Sequence, residues 1–238
     1  MLGGVSSPEE ALRAAAAVGP YFTWEPWSPR GGWRPIGELA GPDGVTELVE
    51  AARRSLGDVQ PRVAASVTFL GAAARLVSPP IAALVMHGVV LSARLWWRRG
   101  DGPGWQIGYD DPAAAGGPLS DVLAGLVTPV LAAVQFRYAV SPRVLWGNVA
   151  SAVAGATGLL ADLHPACAVR AGEVAAGVLS RPPLAGTGTL VQPDPGHARR
   201  FLVRRSCCLY YRVPGGGLCG DCILLPEPER RRAWAHRS

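Results

Sequence analysis

Four of the five cysteines in this 238-residue chain lie between positions 207 and 222, and that crowding constrains the C-terminal fold more than any other feature. Cys207 and Cys208 are adjacent, ten residues separate Cys208 from Cys219, and two separate Cys219 from Cys222, giving C-C-x10-C-x2-C. Successive side chains point to opposite faces of a strand and diverge around a helix, so adjacent thiols reach one site only from irregular backbone. A C-x2-C pair on a turn brings two sulfurs to one side, a spacing shared by zinc and iron–sulfur sites. Spacing alone leaves structural zinc and a [2Fe–2S] cluster both open. The first asks for four thiolates about one ion, the second for two on each of two irons, and that wider spread better accommodates an adjacent pair. Redox thiols fit less well, because Cys219-Gly-Asp-Cys222 runs through Ile223-Leu-Leu225 into Pro226 with no helix N-terminus to activate a thiolate.

Hydrophobic residues make up 49% of the chain against 17% charged, which excludes general disorder. Ser7-Pro8-Glu9-Glu10 reads as a capped helix start, with a stop at Gly19-Pro20. A proline- and glycine-rich loop over 21–42 carries Trp24, Trp27 and Trp33, and Val45, Leu48, Val49, Ala52 and Leu56 then recur at helical spacing. Pro61–Leu76 and Pro80–Trp97 read as two buried helices parted by Ser78-Pro79-Pro80, and Gly100–Gly117 as a polar connection. Leu119–Val134 is helical with a break or kink expected at Thr128-Pro129, and Phe136–Val140 is too short to classify. Ser141-Pro142 and Pro165 each start a further helix, running to about Leu163 and Ser180.

The fold class expected is therefore mainly α, with a small, irregular and β-prone cysteine-rich unit at the C-terminus. Residues 1–184 form the helical domain, 185–226 the metal-binding unit, with a β-prone Leu209–Val213, and 227–238 a charged, loose tail.

Glu9 and Glu10 stand where the apolar core of a signal peptide would run, which points to thiols kept in a reducing cytoplasm. Two uncharged stretches, 76–93 and 144–161, reach the length of a membrane span, but Pro79, Pro80 and His87 in the first and Asn148 in the second make them poor ones. All 23 basic residues are arginine and give a formal charge of +5, which suits anionic partners without naming one.

Arg205-Ser-Cys-Cys-Leu-Tyr-Tyr-Arg212 and Leu218-Cys-Gly-Asp-Cys222 resemble the C-terminal signature of the FhuF-like ferric siderophore reductases. The segments Val63–Pro79 and Arg143–Ala150 resemble helical segments of actinobacterial-type relatives, so the likeness extends over nearly the whole chain. It implies a [2Fe–2S] cluster on Cys207, Cys208, Cys219 and Cys222, in an iron–sulfur oxidoreductase that reduces siderophore-bound Fe(III) by one electron and releases iron in the cytoplasm. The partners implied are a ferric siderophore and an external low-potential donor of ferredoxin or flavin type, not nucleic acid. Room is left for peripheral association with the inner face of the membrane. Two rivals stand beside this reading: a non-enzymatic module in which zinc holds the same cysteines, and a cluster protein that serves only as electron carrier or sensor.

Arg199, Arg200, Arg204, Arg205 and Arg212 flank the cysteines and are candidates for tuning a cluster potential or attracting anionic siderophores, with a solvated basic face as the plain alternative. Trp24, Trp27 and Trp33 are candidates for a siderophore wall, or for packing over the helices. Asn148 reads as an amide satisfying a neighbouring backbone group, His87 and His164 as core or cap residues, and Cys167 as a small buried hydrophobe. His197 lies ten residues before Cys207, close enough in sequence that it could come near the cluster, and none of the three histidines has ligand spacing. No glycine pattern supports a nucleotide site.

Overall fold

The N-terminal helix α1 (Pro8–Ala16) begins at a capping box: Ser7 Oγ accepts from the Glu10 N–H at 3.2 Å, and the Glu10 carboxylate accepts from the Ser7 N–H at 2.8 Å. The fold is known from a computed structural model, which describes residues 7–57, 59–100, 104–194, 196 and 198–235. His197 lies outside the described residues. After a 3₁₀ turn at Pro20–Phe22 come two short strands, β1 (Glu25–Pro26) and β2 (Arg34–Pro35), then α2 (Ile36–Leu39) and the amphipathic α3 (Pro42–Leu56).

The stretch expected to be two helices parted by prolines is one, α4 (Pro61–His87), with Pro79 and Pro80 inside it. A proline at position 79 cannot donate to the carbonyl of Arg75, which would otherwise be left without its helical partner. That carbonyl instead accepts from the indole N–H of Trp24 at 2.9 Å. The loop tryptophan thus supplies the hydrogen bond that the proline removed, and the helix continues. Pro129 is accommodated differently within α5 (Leu119–Tyr138): it lies on the solvent side, as does Gly125, whose carbonyl it leaves free for water.

A second correction concerns 89–114, expected as the end of a helix and a polar connection. It forms a hairpin of β3 (Leu91–Arg99) and β4 (Trp105–Ala114), antiparallel, pairing Leu95 with Tyr109 and Trp97 with Ile107. Leu95 and Trp97 are buried while Arg94, Trp96 and Arg98, which alternate with them, are less covered, a period of two that prevails over the apolar content. The four-stranded sheet runs β1-β4-β3-β2. Trp27 stacks on Trp96 at 4.8 Å between ring centroids, and the guanidinium of Arg98 lies over Trp33 at 4.2 Å while binding Glu25.

Helix α6 (Pro142–Leu163) starts at its proline, whereas the helix expected from Pro165 begins as a 3₁₀ turn at Pro165–Cys167 and becomes α7 (Ala168–Leu179) three residues later. Cys167 is half-buried against the core at that turn, and His164 lies between the two helices as the C-cap of α6. The centre of the molecule is α4 packed along α6, with α1, α3, α5 and α7 around them. By length and composition α4, α5 and α6 could each cross a membrane, and the apolar windows of α4 and α6 are mostly covered by the rest of the chain.

The C-terminal part consists of a two-stranded hairpin, β5 (Gly188–Val191) and β6 (Phe201–Arg204), two cysteine-bearing loops, and α8 (Glu227–Ala235). Leu209–Val213 is not a strand: Tyr210–Arg212 forms a 3₁₀ turn, consistent with Leu209 in the left-handed region at φ 69°. Nor is 227–235 loose. Trp234 is buried and stacks on Phe201 at 4.9 Å, while Arg230 donates to the carbonyls of Cys222 and Leu225.

Replacing Trp24 with Phe keeps the ring but leaves the Arg75 carbonyl without its donor. Urea unfolding should show a loss of about 1–3 kcal/mol, the cost of an unmade buried hydrogen bond. A loss under roughly 0.5 kcal/mol would mean that water replaces the indole without penalty.

Candidate metal centre

The cysteine unit begins where β6 runs out against α6. Arg204, the last residue of β6, is 1% exposed, and its Nη2 donates to Asn148 Oδ1 at 2.7 Å. Asn148, wholly buried on α6, turns its amide nitrogen to Ser66 of α4 and donates to the Ser66 carbonyl at 2.9 Å. Ser66 Oγ then donates to the carbonyl of Cys208 at 2.8 Å. Arginine, asparagine, serine and the cysteine backbone thus form one buried relay across two helices and the cysteine unit.

Glycine makes the approach possible. A Cβ on Gly147 would fall well inside contact distance of Ser206 Oγ and 2.9 Å from Arg204 Nη2. The main chain adds further ties, since the Arg204 N–H donates to the Asp221 carbonyl at 3.3 Å and Arg143 donates to the carbonyl of Arg205 at 3.1 Å.

The irregular backbone that adjacent cysteines demand is found at Leu209. Its left-handed conformation costs a non-glycine residue about 1–2 kcal/mol, and its N–H meets the Cys207 sulfur at 3.4 Å. Cys208 and Cys222 are buried, Cys207 and Cys219 half-buried, and all are free thiols. The sulfurs of Cys208 and Cys219 approach to 3.5 Å. Two thiolates on one tetrahedral metal, each about 2.3 Å from it, lie about 3.8 Å apart, so this pair is close to the spacing of shared ligands. Among the described residues no three His, Cys, Asp or Glu side chains converge to hold a single ion. A binuclear rhomb asks for pairs, two thiolates to each iron, rather than four sulfurs about one point.

Charge fits the same group. The Cys219 S–H donating to Cys208 holds the Cys208 thiol down to about 6 against the opposing effect of burial, helped by the Tyr210 backbone N–H and the Arg204 guanidinium. Cys219 is pushed up as the partner that keeps the proton. Arg204 Nε and Nη1 are buried without a hydrogen-bond partner, and among the described residues no carboxylate pairs with this guanidinium. A buried, unpaired cation costs several kcal/mol. A four-thiolate [2Fe–2S] cluster carries about −2 when oxidised, and would give Arg204 the anion it lacks.

The other arginines divide into two kinds. Arg199 pairs with Asp162 of α6 and lies over Phe201, and Arg200 donates to the Gly172 carbonyl of α7 at 3.2 Å, so both strap the hairpin to the helices. Arg205 and Arg212 are exposed, Arg212 with its guanidinium on the Tyr211 hydroxyl and feeling the charge of Cys207. Trp24, Trp27 and Trp33 belong to the sheet and its junction with α4, as described above. Sequence reasoning singled out Asn148 only as a backbone partner and did not find Ser66 or Gly147. The lone amide of α6 was the available signal, since Ser66 is one of three hydroxyl residues on α4.

Gly147→Ala should weaken the seating of the cysteine unit, lowering both the unfolding midpoint and the iron retained on gel filtration. Gly155→Ala on the same helix, whose Cβ would meet nothing within 4 Å, should be neutral or stabilise by up to about 1 kcal/mol. Equal behaviour of the two variants would show that the close approach is not needed.

A family model described as the FhuF 2Fe-2S C-terminal domain matches residues 204–222, from the buried arginine through the last cysteine. A comparison with curated proteins found no match. That C-terminal stretch is FhuF-like, and the match indicates a [2Fe–2S] cluster as the cofactor.

Proposed function

We propose that this chain is a cytoplasmic ferric siderophore reductase, transferring one electron to Fe(III) while a siderophore still holds it. The observation that carries the reading is that the match over 204–222 contains all four clustered cysteines. Cys207, Cys208, Cys219 and Cys222 would hold the cluster, which when bound supplies one electron at a time. Hard anionic oxygens grip Fe(III) tightly, and one added electron makes the ion softer and less charged, so reduction is also the release step. The electron comes from an external low-potential donor of ferredoxin or flavin type. Peripheral contact with the inner face of the membrane is compatible with the exposed apolar side chains of the cysteine unit, such as Leu218, Ile223 and Leu224.

The chain's own residues prepare this chemistry in three ways. The burial of Cys208 and Cys222 keeps water from two of the four sulfurs. Asn148 and Ser66 hold Arg204 and the Cys208 backbone in fixed relation, so a positive charge stays beside the thiols. That charge favours the more negative, reduced state and so raises the potential. Arg205 and Arg212, exposed on the same unit, attract anionic chelates from solution, an effect that salt should weaken.

Anaerobically reduced protein should be reoxidised by ferric siderophores far faster than by buffer, with the visible spectrum of the oxidised cluster returning and Fe(II) trapped by a ferrous chelator. Equal rates would remove the reductase reading, and a colourless protein containing zinc without acid-labile sulfide would remove the cluster as well. Alanine at any one of the four cysteines should abolish the stable cluster spectrum.

The role of Arg204 can be tested through Asn148, which spares the arginine itself. Asn148→Asp places a carboxylate on the guanidinium and offsets its charge, and Arg204→Gln removes that charge. Voltammetry should find the midpoint lowered by roughly 60 mV or more in either variant, tenfold in a one-electron equilibrium. An unchanged potential in an Asn148→Asp protein that retains its cluster would reject the tuning role.

A further inference from the structure

A cavity of about 480 Å³ lies between the 3₁₀ turn at Pro20–Phe22, α4 and α6, and Tyr210 and Asp221 of the cysteine unit line it as well. This is within the size range of small-molecule sites. Leu70 and Ala74 of α4 and Ala152 of α6 give it apolar walls. Tyr210 follows Cys208 by two residues and Asp221 stands between Cys219 and Cys222, so the cavity wall shares its backbone with both cysteine loops.

One polar atom in the cavity wall is unexplained. Ser151 is 8% exposed and its hydroxyl has no hydrogen-bond partner among the described residues. Serine and threonine in a helix ordinarily return such a bond to the preceding turn. Thr157, on the same helix, does so, donating to the Val153 carbonyl at 3.0 Å. A buried hydroxyl left unmet is destabilising, and a ligand's carbonyl or amide would relieve it.

Charge limits what can enter. Among the described residues Asp221 is the one charged residue in the lining, and no arginine lines it. The anionic oxygens of an iron chelate would find no counter-charge inside, whereas Arg205 and Arg212 are exposed on the cysteine unit outside. An uncharged hydrocarbon arm, in contrast, loses water on entry and is held more tightly with each CH₂ it buries.

We infer that this cavity seats an acyl arm of an amphiphilic ferric chelator, its amide or carbonyl meeting Ser151, with the iron-holding head outside at the cysteine end. The inference rests on the reductase reading for its choice of ligand, and it adds a site and a selectivity to that reading. The chain would then discriminate among chelates by the apolar arm as well as by the metal-binding group.

The test uses Ga(III), a redox-inert stand-in for Fe(III), so that binding is measured without electron transfer. Desferrioxamine B acylated at its terminal amine with either an acetyl or an octanoyl group gives two complexes of equal charge. Calorimetry on the cluster-loaded protein should find the octanoyl complex bound at least tenfold more tightly. Gly155→Leu, which points a side chain into the open space at the cavity wall, should abolish that advantage and leave the acetyl complex and the visible cluster spectrum unchanged. Ser151→Ala should lower octanoyl affinity severalfold, providing a second readout if the leucine variant fails to fold. Equal affinities for the two complexes in the unaltered protein would overturn the inference. So would octanoate alone binding as tightly as the octanoyl complex, since the cavity would then be a general lipid site. Ga(III) binding with the chain-length preference, accompanied by no reoxidation by the Fe(III) complexes, would instead overturn the reductase reading and leave the site standing.

Discussion

The structure depends on a single buried polar path through otherwise apolar helices. Arg204 reaches Asn148, Asn148 reaches Ser66, and Ser66 reaches the carbonyl of Cys208. Residues separated by 142 positions in the chain are fixed to one another by groups that have no water to fall back on. Such a path is stable only when each member is satisfied, and the two free donors of Arg204 are the exception. The exception lies beside the thiols, and for that reason the relay reads as a cofactor's surroundings as well as a structural joint. It also explains why α4 and α6 are at the centre: each contributes one polar residue to the joint and small residues elsewhere along their contact.

The proline in α4 illustrates how local rules yield to tertiary partners. A proline pair in an apolar run ordinarily ends a helix, and a reading from local chemistry divides the run there. The carbonyl that Pro79 cannot serve is met by Trp24, 51 residues away, a partner that no local window contains. The hairpin β3–β4 escaped for a different reason. Its Leu, Ala and Trp content suits a helix, and the alternation of Leu95, Trp97 and the arginines is brief and interrupted by a register shift near Ser92.

Other parts were legible because their signals are local. The capping box at Ser7, the proline start of α6, the proline turn that leads into α7, and the glycine-proline stop after α1 act within a turn, and each has its element where expected. The cysteine spacing was legible for the same reason, down to the need for irregular backbone, met by Leu209. The arginines were legible only as a group. Which of them is buried, which are straps and which face solvent depends on the positions of α6 and α7, and nothing near residues 199–212 encodes that. The exposed pair remains suited to anions, whereas the buried one is suited to a fixed anionic group.

The small C-terminal helix bears on how the protein is handled. Arg230 binds the carbonyl of Cys222, and Trp234 lies flat on Phe201 at the start of the strand that ends in Arg204. The second cysteine loop is therefore gripped from behind by α8, whose sequence alone suggests a dispensable tail. Trimming the chain before Arg230, or crowding this helix with a purification handle, would disturb the thiols through their backbone. A preparation lacking colour after such an alteration would report on the handle rather than on the native protein.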